Sequence, residues 1–327
     1  MTLRDAAQFL RSRDHFVIVT HRRPDGDTLG SAALLCRGLR QLGKTAHILP
    51  NSETTRKYAY LVDDLTKSAV KNHDTVIAVD VASADMLMSN AQSLQIALRI
   101  DHHRTSSSFS GLELVDPVAA ACGQLIYDLL TEMCVVLDEP MAIALYTAIS
   151  TDTGCFRFAN TQSHTLEVAA RCAEVITDLY DLNQRLFGTV SLRKLQLQSW
   201  LIDHALFLQD GKVAICPLPL EVEKRLGITE DDTENLSGLP RSIEGVKLAA
   251  TLRQTEQGEI KISVRAAPGY NADAICAKLG GGGHRGAAGA TVRMTMDEAV
   301  QALIAEFTLV NESRLTGGES RPSMCTR

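Results

Sequence analysis

Short apolar runs separated by polar or helically spaced stretches organise the first part of this chain. HFVIVT, from His15 to Thr20, predicts a buried β-strand that stops at His21. From Thr28 to Leu42, the residues Leu29, Ala32, Leu35, Leu39 and Leu42 recur at helical spacing, and Gly43 suits a helix C-terminus. TAHILP, TVIAVD and IALRID predict further strands. Near-continuous apolar strands alternating with helices predict an α/β fold with a doubly wound, mainly parallel sheet. Helical patterns then dominate from Ala119 to about Ala205.

The pattern changes after His204. HALFLQ and KVAICP, joined at Asp210-Gly211, predict a hairpin. VKLAATLRQ and GEIKISVRA predict a second pair, turning at Gly258. NADAICAKL predicts a short helix, GGGGHRGAAGA follows it, and a last helix is expected near Met296 to Phe307. The expected organisation is a larger α/β domain over 1–185, a helical connector over 186–203, a smaller α+β domain over 204–310 and a disordered tail over 311–327. The acidic run Glu230, Asp231, Asp232 and Glu234 is expected as a solvated loop or helix start.

Bulk composition narrows this picture modestly. With 327 residues and 45% hydrophobic content, the chain can bury two ordinary cores. It has no apolar run long enough to span a membrane, and its start, MTLRDAAQFLRSRD, lacks an apolar signal segment. A cytoplasmic location is the expectation. Its 8 cysteines are scattered singly, which reads as reduced thiols. The net charge of −6 argues against coating duplex nucleic acid, but leaves room for a nucleotide or short single strand in a local basic pocket.

Candidate chemistry gathers where strands and helices end. THRRPDGDTLGSA, after the first strand, offers His21, Asp25 and Asp27. AVDVAS ends a strand on Asp80; RIDHHRT supplies Asp101, His102, His103 and Arg104; STDTGCFRF supplies Asp152 after a long apolar helix. Ligands of parallel sheets bind outside the carboxyl ends of the strands. A strand-terminal Asp is often only a helix cap, and a His-His pair is often only surface. That explanation would have to apply four times at one sheet edge, so the coincidence favours a metal site. Mixed imidazole and carboxylate ligands suit Mn²⁺ or a similar divalent ion. A pair of such ions about 3.5–4 Å apart can share a carboxylate and activate a bridging water.

HRRPDGDTLGS, VDVAS, IDHHR and TDTG resemble, in order, the four motifs of the DHH phosphoesterase family, and GGGGHRGAAGA resembles the signature of the type 1 DHH-associated domain. Length and domain content are most similar to the NrnA-type nanoRNase/pAp phosphatases. The resemblance implies hydrolysis of short oligoribonucleotides to mononucleotides and of adenosine 3′,5′-bisphosphate (pAp) to AMP. It also implies two divalent ions, Mn²⁺ foremost, with Mg²⁺ or Co²⁺ as substitutes. His21, Asp25 and Asp80 would hold one ion; Asp27, Asp80, His102 and Asp152 would hold the other, with Asp80 bridging. His103 would contact phosphate and protonate the leaving oxygen, Asp101 would fix an imidazole tautomer, and Arg104 would neutralise a phosphate oxygen.

The glycine run supports a nucleotide substrate. Backbone N–H groups of Gly281, Gly282 and Gly283 can approach a phosphate closely, beside His284 and Arg285, with Arg265 as a further contact. His15, His47, His73, His164 and His204 lack a motif and are expected to be structural. Expected partners are short single strands or pAp, with neither membrane nor stable duplex, and a homodimer is the expected assembly. The rival readings are a stand-alone phosphodiesterase for linear pApA or cyclic dinucleotides, a RecJ-type exonuclease, and a non-catalytic nucleotide-binding regulator. The last would lack metal ligands, and here every ligand position is filled.

Overall fold

The computed structural model describes residues 1–103, 107–233 and 235–316, with side chains as far as 308. Contacts divide the chain into two units, Met1–Thr189 and Val190–Arg327.

The first unit contains α1 (Leu3–Arg11), β1 (Phe16–Val19), α2 (Gly26–Gln41), β2 (Ala46–Ile48), α3 (Arg56–Ala59), β3 (Thr75–Val79), β4 (Leu98–Asp101), β5 (Leu112–Val115), α4 (Cys122–Glu132), α5 (Glu139–Asp152), α6 (Ser163–Val175) and α7 (Leu179–Asn183). Its five strands run in the order β2-β1-β3-β4-β5, and every pair is parallel. Side-chain alternation sorts β1 between two cores. Phe16 and Ile18 join the helical layer with Leu29, Leu34 and Leu145, while Val17 and Val19 face Val76, Val81 and Met88. The second face is covered by 3₁₀ turns at Ala84–Met86 and Ser89–Ala91.

Close helix packing draws the future site together. A Cβ added at Gly30 would lie 2.4 Å from the Ala144 carbonyl, and one at Gly123 2.5 Å from the Ala148 Cβ. Only glycine lets α2 and α4 come this near to α5, so the start of α2, the start of α4 and the end of α5 converge.

The second unit comprises α8 (Leu192–Asp203), β6 (Leu206–Leu208), β7 (Val213–Leu218), α9 (Leu220–Leu226), α10 (Glu230–Thr233), β8 (Leu248–Gln254), β9 (Ile260–Ala266), α11 (Ala272–Lys278), β10 (Gly282–Gly283), β11 (Ala287–Val292) and α12 (Met296–Thr316). The sheet order is β10-β11-β9-β8-β7-β6, antiparallel except for β7 with β8. Both hairpins stand where the sequence predicts them. The helix expected within the connector, α8, instead buries Leu197 and Leu201 against Cys216, Leu218 and Leu236 of this unit. The acidic run does start a helix, but Asp232 is buried and accepts from Thr229 and Ser191, while Glu230 pairs with Arg253. The last helix passes the expected Phe307 end and reaches Thr316; the rest of the expected tail, like Glu234, lies outside the described residues.

Candidate metal centre

The centre grows from the carboxyl ends of β1, β3 and β4. His21 lies just past β1, where its Nδ1 faces the Arg22 carbonyl at 2.6 Å. That contact makes Nδ1 the protonated nitrogen and leaves the Nε2 lone pair facing inward. Nε2 is 2.5 Å from Thr28 Oγ1 and 3.7 Å from Asp80 Oδ2. Asp25 caps α2, accepting from the Thr28 N–H at 3.0 Å. The buried Thr28 hydroxyl is also within 3.0 Å of Asp25 Oδ1 and 2.6 Å of Asp80 Oδ2. One hydroxyl proton cannot serve both carboxylates.

Asp27, in the first turn of α2, faces the amino end of α4. Its two oxygens accept from the Cys122 N–H at 2.7 Å and the Gly123 N–H at 2.9 Å, and from Ser31 Oγ at 3.0 Å. Asp80 sits in the left-handed region at φ +57° and ties back to β4 through its N–H to the Ile100 carbonyl, at 2.9 Å. This strained conformation ends β3 and turns the carboxylate into the pocket. His102 Nδ1 faces the Ala119 carbonyl at 3.2 Å, which points Nε2 inward. From there Nε2 is 3.6 Å from Asp27 Oδ2, 3.6 Å from Asp80 Oδ1 and 3.8 Å from Asp152 Oδ2. Asp152 closes α5, and Asn160 Nδ2 donates to it at 3.3 Å.

Three donor sets therefore have atoms within 4.8 Å of one another: His21, Asp25 and Asp80; Asp27, His102 and Asp152; Asp80, His102 and His103. The carboxylates crowd each other, with Asp27 and Asp80 buried, Asp152 half-buried and Asp25 exposed. Burial, then repulsion from Asp80, Asp152 and Asp25, drives Asp27 well above the ordinary carboxylate range. Burial followed by Asp25 raises Asp80, and burial lifts Asp152 to about 6, with Asp80 and Asp25 adding to the lift. Asp80 Oδ1 is buried and has no hydrogen-bond partner. An under-satisfied oxygen among repelling carboxylates and inward-facing imidazoles fits divalent cations well.

Asp101 and His103 form a different pair. Burial, the largest single influence, would raise Asp101, but the 2.7 Å bond from His103 Nδ1 to Oδ1, the His103 charge and backbone N–H and the Arg99 charge together hold the carboxyl below its usual value. The same bond pushes His103 up to about 9, against the opposing effect of burial. Arg104 lies outside the described residues.

Sequence reading missed Arg99, a buried cation between Leu98 and Ile100 of β4. It is 1% exposed. Nη1 donates to the Ala82 carbonyl at 3.1 Å and to the Ser107 carbonyl at 3.0 Å; Nη2 donates to Glu113 Oε2 at 3.1 Å. One guanidinium thus ties the loop after Asp80 to the chain beyond His103. The only sequence signal was an arginine between Leu98 and Ile100.

The glycine run lies in the second unit. Gly281 and Gly283 are required by β10 pairing: a Cβ would lie 2.0 Å from the Gly289 carbonyl or 2.7 Å from the Ala287 carbonyl. The N–H groups expected to meet a phosphate are largely engaged within the chain. Gly280 donates to Ala277, Gly281 to Cys276 at 2.9 Å, and Gly283 to Asp273 Oδ1 at 2.8 Å. His284 and Arg285 remain exposed beside exposed Gly282, and Arg265 pairs in register with Ala287. His47, His164 and His204 make local contacts with Ala69, Asp128 and Trp200.

Comparison with known proteins gives consistent matches. The DHH family N-terminal domain matches residues 15–149, and the DHHA1 domain matches residues 210–310. The bifunctional oligoribonuclease and PAP phosphatase NrnA of Thermus thermophilus is 34% identical over 299 residues, covering 88% of this chain and 87% of its own. An exopolyphosphatase-related protein from Bacteroides fragilis has a similar fold, with a TM-score of 0.80 at 23% identity, covering 94% of this chain and 97% of that one. RecJ from Thermus thermophilus, solved with Mn²⁺, gives 0.53 at 17% identity and covers 97% of this chain but 55% of its own.

The charge arrangement and the arginine clamp can each be tested. A carboxyl whose folded pKa is raised binds more protons folded than unfolded, so metal-free stability falls as pH rises from about 4 towards about 6. Asp152→Asn removes that loss: the metal-free variant should melt higher than the parent by about 2 °C or more at pH 7, with a smaller gain at pH 5. Its Mn²⁺-induced rise in Tm should shrink; an unchanged rise would remove Asp152 from the metal set. Arg99→Met should cost about 3 kcal/mol in denaturant unfolding, because Glu113 Oε2 loses its buried cation, the Ser107 carbonyl its donor and the Ala82 carbonyl one of its two donors. Mn²⁺ affinity should also fall about tenfold or more in a titration. A folded variant with parental Mn²⁺ affinity would show that the clamp does not position the site.

Proposed function

This chain belongs to the DHH family and carries the DHHA1 domain, and on that premise we propose that it is a two-metal phosphoesterase cleaving short oligoribonucleotides to mononucleotides and pAp to AMP. The observation that carries the reading is the convergence of Asp27, Asp80, Asp152 and His102 on one point, with His21 and Asp25 alongside. The 34% identity to an oligoribonuclease and PAP phosphatase supports the substrate class.

In this reading His21, Asp25 and Asp80 would hold one divalent ion, and Asp27, Asp80, His102 and Asp152 would hold a second. Mn²⁺ is the preferred ion, with Mg²⁺ or Co²⁺ as substitutes. Such a pair supplies Lewis acidity and lowers the pKa of the attacking water. The chain's own groups do the rest. The carbonyls of Arg22 and Ala119 hold the His21 and His102 tautomers that leave Nε2 free to bind. Asp101 accepts from His103 Nδ1–H, which favours the charged imidazole and turns its Nε2–H outward to contact phosphate and protonate the leaving oxygen. Arg104 would balance charge on a phosphate oxygen.

Substrate recognition by the second unit falls to His284, Arg285 and Arg265 more than to the glycine amides. Gly283 already donates to Asp273, whose carboxylate would oppose an incoming phosphate; Gly281 and Gly282 contribute close approach. No helix of the described residues is long and apolar enough to cross a membrane. A cytoplasmic homodimer without stable duplex binding belongs to the same reading, in keeping with a net charge of −6.

A hydrolysis panel with Mn²⁺ tests the proposal: a diribonucleotide, pAp, linear pApA, a longer DNA strand and pyrophosphate. Turnover of the diribonucleotide and pAp is expected. Turnover of pyrophosphate alone would overturn the substrate class, and preference for pApA or the long strand would favour the rival enzymes. Asp80→Asn, whose side chain tolerates the positive φ, should lower kcat at least a thousandfold; His284→Ala with Arg285→Ala should raise KM about tenfold with Mn²⁺ binding intact.

A further inference from the structure

The sheet carries a second set of metal-type side chains at its other end. His15 directly precedes β1 and Asp74 directly precedes β3, and these neighbouring strands pair Phe16 with Thr75. The register therefore sets His15 beside Asp74. His73, next in the chain, completes a group of two imidazoles and a carboxylate whose donor atoms lie within 4.8 Å of one another. Its Nε2 is 3.7 Å from Asp74 Oδ1, and the two imidazole rings meet edge-on with centroids 5.0 Å apart.

The backbone around this group is held firmly. His15 adopts a left-handed conformation at φ +56°. Its N–H donates to Asp14 Oδ1 at 2.7 Å, and its carbonyl accepts from the Thr75 N–H at 2.8 Å. The Asp74 side chain is only 6% exposed. Oδ2 accepts the Lys71 N–H at 2.7 Å, which leaves Oδ1 facing His73. The imidazoles, by contrast, belong to exposed residues and can turn. Ligand atoms around a tetrahedral Zn²⁺ stand roughly 3.3 Å apart, given bonds of about 2.0 Å. Rotation of two exposed rings about a fixed carboxylate can supply that closure.

The geometry points to a binding site for a borderline divalent cation, Zn²⁺ in particular, formed by His15, His73 and Asp74. Two imidazoles and one carboxylate are a poor set for Mg²⁺ or Ca²⁺ and a good one for Zn²⁺, with the remaining coordination positions open to water. Arg13 and Lys71 line the adjoining groove and weaken any cation there, so binding is reversible rather than permanent. Bound Zn²⁺ pins the amino ends of β1 and β3. The carboxyl ends of those strands lead to His21 and Asp80, so each of the two strands is flanked by a ligand-type residue at both ends.

Equilibrium dialysis of the full chain against Zn²⁺ tests this, with the bound metal counted. The comparison is with His15→Asn/His73→Gln; Asn accepts the left-handed backbone, and the single variant His73→Gln guards against misfolding. The parent should bind one equivalent more than either variant, while all three keep equal Mn²⁺-dependent turnover. Equal Zn²⁺ counts in parent and folded variants would overturn the site. Loss of Mn²⁺-dependent turnover in a folded variant would also overturn it as a separate site.

Discussion

Like charge buried in one place is the constraint on which the first unit depends. Asp27 and Asp80 are 2% and 3% exposed, and both lie against His102 with Asp152 beside them. Two unit charges about 4 Å apart repel by about 4 kcal/mol at the effective dielectric of a protein surface. Protons or cations must answer that repulsion, and the raised carboxyl pKa values of Asp27, Asp80 and Asp152 express the first alternative. The second alternative turns the same repulsion into affinity, because an ion that neutralises the cluster also relieves the protein.

The surrounding fold is arranged to keep the charges close. The amino end of α4 gives Asp27 two N–H donors, which fixes its direction without neutralising it. Gly30 and Gly123 allow the helix approach on which that contact relies. Arg99 ties down the chain on either side of the strand ends that present Asp80 and His103. Asp101, bonded to His103 and near Arg99, is held below its usual pKa despite its burial.

Much of this was legible in the residue pattern. β1 (Phe16–Val19) and β3 (Thr75–Val79) are near-continuous apolar runs, and the ends of β1, β3 and β4 carry every residue of the cluster except Asp25, Asp27 and Asp152, which helix ends supply. β5 was not legible, because Leu112–Val115 is a half-exposed edge strand carrying Glu113 and only Leu114 is buried. Arg99 was hidden for the opposite reason: charge inside an apolar strand has no periodic signature. The glycine run was legible as a special backbone, but its amides turn inward to Cys276, Ala277 and Asp273, which only the paired strands reveal. The helix α8 read as a connector because its exposed Leu192, Leu195 and Ile202 blur the face that Leu197 and Leu201 bury.

Anomalous X-ray scattering from crystals soaked in Mn²⁺ tests whether one carboxylate, Asp80, would serve two ions at once. Two peaks within about 4 Å of each other are expected, one beside His21 and Asp25, the other beside Asp27, His102 and Asp152, with Asp80 touching both. A single peak, or two peaks that Asp80 does not join, would contradict it.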